Sequence, residues 1–396
     1  MPWPIHDVNT IRREFVTKAL MKGASFSALC REYGISRKTG YKWRQRALAE
    51  GLRQLADHSR RPKSSPTQLA ESAVCALIRF KLRHPMWGPK KIRQLYARRF
   101  ADVPSLSSCQ RVLTQAGLVI RRRRRRATLG ERITSPITAQ SPNEVWTVDF
   151  KGWWSLSNGQ RCEPLTVRDA YSRYVLAVHA VPRANTTQVQ SFFTGLFEQY
   201  GLPRIIKSDN GAPFATVSAP HGLSRLSAWW LALGIGLDRS RPAHPQDNGA
   251  HERLHRDIAA ELSCQNHPDL ESQQAAFDLW REEFNWQRPH EALQGRCPAE
   301  VYRKSSRRMP ASVAIDYGTD MVIRKVSQAG MIKWGGHVKI FLSGALTGWP
   351  IGLRQSDPDH LEVWFANLLL GHIEISSVRF LRAASRPQET QAIRSA

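Results

Sequence analysis

The apolar residues of this chain recur at different periods, and the changes of period divide it into regions. Over residues 8–22, Ile11, Phe15, Ala19 and Met21 fall near one stripe and predict a helix. Ser25 precedes a second helical run over 26–33, which Gly34 ends, and Ser36 is placed to cap a third over 37–49. Residues 57–67 (DHSRRPKSSPT) are polar with two prolines and predict a linker. Helical runs resume over 70–83 and 89–99, the latter opening on Pro89, and Ser105 or Ser107 can cap another that ends near Gly117. From residue 143 the texture alters. Residues 144–150 predict a buried strand, and 160–168 and 173–181 two more joined by a turn at 169–172. The run 186–200 is an amphipathic helix, with Val189, Phe192, Phe193, Leu196, Phe197 and Tyr200 on one face. A strand at 203–209, a helix at 223–233, a strand at 235–238 and a helix at 247–262 with Leu254, Ile258 and Leu262 on its core stripe complete a mixed α/β pattern. A further helix occupies 267–286. From Met321 the period becomes two, in short runs broken by Gly, Asp and Pro, which predicts a small β-barrel.

Charge sharpens this division. The net charge is +25, and residues 1–134 hold 30 Lys and Arg against 8 Asp and Glu, while the remaining 262 residues are nearly balanced. A basic first third attracts a polyanion and makes its binding salt-dependent. Helix, short Gly-containing turn, helix is the helix-turn-helix pattern. Its second helix carries Arg37, Lys38, Tyr41, Lys42 and Arg44 around Trp43, residue types suited to a DNA major groove. The second helical region is read as a further helix-turn-helix with Gln110 and Arg111 on its reading helix. Arg121, Arg122, Arg123, Arg124, Arg125 and Arg126 form an unbroken run. So dense a charge resists packing, and it reads as an arm on DNA phosphates or as a localisation-like patch.

The six cysteines stand singly, without zinc spacing, and predict reduced thiols. No apolar run has the length of a membrane span, and the first residues lack a signal-peptide core. A cytoplasmic, nucleoid-associated protein of bacterial type, without a membrane partner, is the expectation.

Three acids have unusual surroundings: Asp149 in WTVDFKG, Asp209 in SDNGAPF and Glu252 in RPAHPQDNGAHERLHR. The first two fall at strand ends, where open α/β sheets build their sites. On its helix Glu252 points away from the Leu254/Ile258/Leu262 stripe and can face a cleft. Three hard oxygen ligands suit Mg2+ or Mn2+. Asn210, Gln246 and Asn248 can position DNA or water behind such ligands, or serve as turn residues. His244, His251 and His255 are candidate bases, but with metal to generate hydroxide none is required, and they read rather as DNA contacts or surface residues. Asp169, Asp238 and Asp247 are alternative acids, the first in a turn and the last a helix cap.

These runs, with NWQRPHEAL (285–293) and PAEVY (298–302), resemble the integrase core of insertion-sequence transposases, the DDE group related to retroviral integrases. The resemblance covers about residues 140–305. It implies an RNase H-like fold and a transposase that binds the ends of a mobile element. Asp149, Asp209 and Glu252 would hold two Mg2+ ions, with Mn2+ as a substitute. One ion would activate water to cut a phosphodiester, and the freed 3′-hydroxyl would attack target DNA. Partners would be double-stranded DNA at element ends and target, with the protein acting as a homo-oligomer on DNA. One departure stands out: 42 residues separate Asp209 from Glu252, more than is usual, and 215–224 looks like an extra loop that could alter DNA entry.

The expected layout is multidomain. All-α helix-turn-helix units occupy 1–56 and 69–120, flanked by linkers at 57–68 and 121–139. Next come an α/β RNase H-like catalytic core (140–265) with a helical extension (266–308), a small all-β barrel (309–381) and a disordered tail (382–396). Two rivals are a non-catalytic DNA-binding regulator and a nuclease that cuts without joining. The intact acids argue against the first, and the paired helix-turn-helix units against the second.

Overall fold

The computed structural model describes residues 7–383, apart from 54, 58–67, 120–137, 184, 218, 241–248, 263–266 and 337. The arginine run, Gln246, Asn248, His244 and Asp247 therefore lie outside the described residues. The chain divides into two compact units, Met1–Leu69 and Ala70–Ala396. No helix among the described residues is long and apolar enough to cross a membrane.

The first unit is three helices, α1 (Val8–Leu20), α2 (Phe26–Glu32) and α3 (Arg37–Glu50). Ser36 caps α3 by accepting from the Thr39 amide. The core is Phe15, Val16, Leu29, Cys30, Trp43, Ala47 and Leu55. Ile11 and Met21, expected on the buried stripe of α1, are 40% and 62% exposed. Only the central turns of α1 are covered by its neighbours, and Val16 takes the buried place. The helices approach closely at Gly40, where an added Cβ would lie 2.8 Å from Cys30 Sγ.

The second unit opens with α4 (Glu71–Arg83), α5 (Pro89–Ala97) and α6 (Leu106–Gln115). Pro89 sits in the first turn of α5, and Ser105 caps α6. These helices pack onto the segment 283–300, beyond the sheet strands. His84 Nδ1 lies 2.9 Å from Glu283 Oε1, Lys90 pairs with Glu291, and Arg98 meets Glu300 at 2.7 Å.

The sheet holds β1 (Val145–Phe150), β2 (Trp154–Ser155), β3 (Arg161–Asp169), β4 (Val175–Val181), β5 (Ile205–Ser208) and β6 (Gly236–Arg239). The order is β4-β3-β1-β5-β6, with β2 on the start of β3. β1, β3 and β4 run antiparallel as a meander, while β5 and β6 run parallel to β1. Helices α7 (Thr186–Tyr200) and α8 (Arg225–Ala232) supply the crossovers. Their Phe193, Phe197 and Trp230 pack on Trp146, Val148, Leu165 and Ile206. On the opposite face α9 (Gly249–Leu262) and α10 (Leu270–Trp286) pack Leu254, Ile258 and Phe277 on Cys162, Val175 and Val178. This is a three-layer α/β/α core. The pattern of apolar residues predicts every strand of this sheet except β2, whose two residues are too few to show a period.

The C-terminal region is all-β. Strands β7 (Val322–Lys325), β10 (Pro350–Asp357), β11 (His360–Phe365), β12 (Leu368–Glu374) and β13 (Arg379–Arg382) form an antiparallel sheet in the order β13-β12-β11-β10-β7. A separate hairpin joins β8 (Met331–Trp334) and β9 (Val338–Phe341). Among the described residues the ladders make a five-stranded sheet and a two-stranded hairpin, so the region is all-β as expected, and the ladders by themselves do not draw the expected barrel. Alternation in sequence reports a half-buried sheet; it cannot report closure.

Candidate active site

Alternation along β1 sorts its side chains. Trp146 and Val148 enter the apolar layer beneath α7 and α8. Thr147 and Asp149, at the other parity, face the side that α9 covers. β1 and β5 pair in parallel with Val145 opposite Ile205 and Thr147 opposite Lys207. Continued two residues past that last pair, the register sets Asp149 beside Asp209, which directly follows β5. Adjacent strands lie about 4.8 Å apart. Glu252 lies in the first turn of α9 and is exposed.

Asp149 feels the other two acids. The Asp149 carboxyl is pushed up to about 7, first by burial, then by the charge of Asp209, with Glu252 adding to it and a hydrogen bond from the Phe150 amide opposing it. Among the described residues, however, no group of three or more His, Cys, Asp or Glu side chains stands close enough together to ligate one ion. Electrostatic influence reaches further than ligation. Carboxylates at this spacing repel, and a shared cation would draw them together. An all-oxygen acid set with excess negative charge fits a hard divalent cation.

Beneath α9 lies a polar layer. His251 is fully buried; its Nδ1 is 2.9 Å from Thr147 Oγ1, and its Nε2 is 2.5 Å from Thr166 Oγ1. His255 Nε2 is 2.8 Å from the same Thr166 oxygen. The Thr166 hydroxyl donates to the Asp149 carbonyl at 2.9 Å. With its one proton so used, it accepts from both Nε2–H groups, which assigns the tautomers. His251 Nδ1 then accepts from Thr147, and His255 Nδ1 faces Asp149 Oδ2 at 4.0 Å. Both rings are neutral. Burial, then His255 and Arg168, lowers His251 well below the usual imidazole range, and burial, Lys151 and Arg168 bring His255 down to about 4. The expectation that these two are surface or DNA-contacting residues is corrected: they pin α9 to the sheet. The signal is present in the sequence, since His251 stands at i−3, i−7 and i−11 from Leu254, Ile258 and Leu262, on the same buried stripe.

The other candidates divide. Asn210 Nδ2 donates to the Ser240 carbonyl at 2.8 Å, tethering the loop after Asp209 to the end of β6. Asp169 is buried and accepts from the Asn143 amide and from the Ser172 amide and hydroxyl, a structural turn. Asp238 is buried 3.4 Å from Lys207. Arg288, which the sequence reading misses, is buried and pairs with Asp257 at 2.8 Å and Glu261 at 3.3 Å, locking the end of α10 to α9. In the first unit Arg37, Lys38, Tyr41 and Lys42 are exposed on α3. A shallow groove there is lined by Lys38, Tyr41, Lys42, Gln45 and Arg46, with Ala49 and Glu50 at its end. Arg44 is half-buried, 5.9 Å over the Phe26 ring. Trp43 is buried under Arg12, 3.9 Å from its ring, with Lys42 and Arg46 beside it. Gln110 and Arg111 are exposed on α6.

Parts of the chain match known domains and proteins. An integrase core domain matches residues 139–245 and again residues 233–298. A helix-turn-helix domain matches 11–63, and a homeodomain-like domain 39–113. A 31.7 kDa protein of insertion element IS407 from Burkholderia multivorans is 28% identical over 197 residues, 49% of this chain and 68% of that one. A 39.2 kDa protein of insertion element IS476 from Xanthomonas euvesicatoria is 26% identical over 263 residues, 64% and 70% of the two chains. The chain thus carries an integrase core domain and is similar to proteins of insertion elements. Its integrase core spans both faces of the sheet, from β1 to the turns after α10. Among solved structures, the HTLV-2 integrase catalytic core domain in complex with magnesium aligns with 41% of this chain and 99% of that chain at 18% identity, with a TM-score of 0.32.

Proposed function

We propose that this protein is a transposase that binds the ends of its element and, acting as a multimer, cuts and joins DNA strands with Asp149, Asp209 and Glu252 as ligands for two divalent cations. The observation that carries the reading is the register of β1 on β5, which sets Asp149 beside Asp209 at one sheet end, within electrostatic reach of Glu252. Bound divalent cations supply the charge that activates the attacking oxygen and stabilises the leaving one. The chain's own residues position these ligands. Thr166 holds the Asp149 backbone through its carbonyl, and His251 and His255 hold α9, and with it Glu252, against that same hydroxyl. His255 Nδ1 stands 4.0 Å from Asp149 Oδ2, so the ring borders the carboxylate as well as holding the helix. The exposed cations and Tyr41 of α3 suit DNA backbone and groove contacts, and in the second unit the exposed Gln110 and Arg111 of α6 suit the same kind of contact. The arginine run 121–126 reads as an arm on phosphates.

The test uses the full chain and a DNA end. Asp209→Asn and Glu252→Gln should each abolish cleavage and joining while end binding stays within about twofold. That binding should weaken by orders of magnitude between about 50 and 200 mM salt. A purified variant of either acid that still joined strands would remove the site assignment.

A further inference from the structure

The loop at 215–224, which departs from the usual spacing of the acids, does not lie open at the site. It is closed at its neck: Ala215 bridges Leu223, the Thr216 amide donates to the Gly222 carbonyl at 3.0 Å, and the Ser224 hydroxyl donates to the Phe214 carbonyl at 3.1 Å. Ala219 and Leu223 are buried in the apolar cluster of the C-terminal sheet, with Ile351, Phe365 and Leu370. At the apex His221 and Gly222 both take left-handed backbone, φ 49° and 64°. A non-glycine residue keeps that conformation only where its surroundings over-determine it. Here they do. His221 Nε2 donates to the Leu369 carbonyl of β12 at 2.8 Å, and the His221 carbonyl accepts from Arg239 Nη1 at 3.1 Å.

Both ends of this loop lead back to one acid. Arg239 pairs with Ser208, the residue before Asp209. At the neck, the Gly211 carbonyl accepts from the Phe214 and Ala215 amides, both at 3.0 Å. The Gly211 amide in turn donates to Asp209 Oδ1 at 3.2 Å. Phe214 is buried, its ring 5.5 Å from Phe150 and 6.1 Å from Trp230. An unbroken series of packed and hydrogen-bonded groups thus runs from β12 to the Asp209 carboxylate.

We propose that the 215–224 loop is a strut through which the C-terminal sheet positions Asp209 for a divalent cation, with His221 and Leu223 as positioning residues. The sheet is then part of the catalytic apparatus, and a chain lacking it would bind cation poorly even with all three acids present. The inference rests on reading Asp209 as a metal ligand.

The experiment compares full-length wild type, His221→Ala, His221→Gln, Leu223→Ala and Asp209→Asn. Three quantities are read: the Mn2+ concentration that half-saturates binding by electron paramagnetic resonance, hydrogen exchange of the Gly211, Phe214 and Ala215 amides, and DNA end binding. The strut predicts a weakening of Mn2+ binding by roughly tenfold, the scale expected when the support of a ligand is lost. It comes with faster exchange at those three amides in His221→Ala and Leu223→Ala, unchanged end binding, and recovery in His221→Gln, whose amide nitrogen can reach the Leu369 carbonyl. Native exchange at these amides and native Mn2+ affinity in a folded His221→Ala variant would overturn the strut, whatever Leu223→Ala does to folding. Unchanged Mn2+ binding in Asp209→Asn would instead overturn the ligand reading, while the exchange data would still judge the mechanical link.

Discussion

The two faces of the central sheet are made from the same strands and do opposite work. Beneath α7 and α8 the packing is apolar: Trp146 and Val148 of β1 meet Phe193, Phe197 and Trp230. Beneath α9, one residue along the same strand, Thr147 and Asp149 meet His251, Thr166 and His255. The first face contributes the burial that holds the core together. The second carries buried and half-buried polar groups and an acid pushed up to about 7, an arrangement that adds nothing to stability which apolar packing could not supply better. A sheet that gives up packing on one face does so for chemistry, and the period of two keeps the two tasks from mixing.

The sharpest break between the faces is at Asp149. Asp149→Asn should lower strand cleavage by about a thousandfold, the several kcal/mol that metal ions supply to phosphoryl transfer. It should leave the metal-free melting temperature at pH 8 unchanged or higher, because a buried carboxylate beside two others is replaced by a neutral amide. A gel assay and calorimetry on one sample check both. Loss of folding together with activity would mean that this face is structural after all. On the other face Trp230→Ala should cost about 3–5 kcal/mol in a denaturant titration, while the molecules that remain folded keep their cleavage rate.

How much of this contrast is legible in the sequence depends on the kind of signal. The apolar face is legible because Val189, Phe193, Leu196 and Phe197 declare their stripe within one helix. The three acids are legible from the runs around them. The polar face is not, because His251 and Thr166 are 85 residues apart and their bond is a fact of packing. Extending the α9 stripe one turn towards the N-terminus would place His251 correctly. The strand order of the C-terminal sheet and the seating of 215–224 on it depend on contacts between distant segments, which no local period encodes.

Protonation offers a milder probe. The raised Asp149 means that the folded, metal-free chain holds a proton up to about pH 7 that the unfolded chain releases near the ordinary carboxylate range. This group therefore favours folding at low pH, and its contribution is lost as pH rises from about 4 through about 7. A cation must displace that proton, so Mn2+ affinity should fall by about tenfold per unit below pH 7. Calorimetric titration across pH 5.5–8 checks this, and Asp149→Asn should remove that slope. A wild-type slope centred near the ordinary carboxylate range would place Asp149 outside the cluster.

The smallest expected effects come from an exchange of two neighbours. Thr and Val are close in shape, and both suit a strand. Thr147→Val removes one hydroxyl from the polar face. The departing group takes its own need for a partner with it, and what is lost is its contact with His251 Nδ1 and a long one to the Arg168 carbonyl, so the cost should be about 1 kcal/mol. Val148→Thr places a hydroxyl among Trp146, Phe193 and Ile206, where the described neighbours are apolar, and should cost about 1–3 kcal/mol. The order should reverse for activity. Thr147→Val loosens the N-terminal turns of α9 that carry Glu252, so cleavage should slow severalfold, while Val148→Thr leaves the rate per folded molecule unchanged. Equal stability losses, or equal rates, would mean that the two faces are not divided as the alternation of β1 requires.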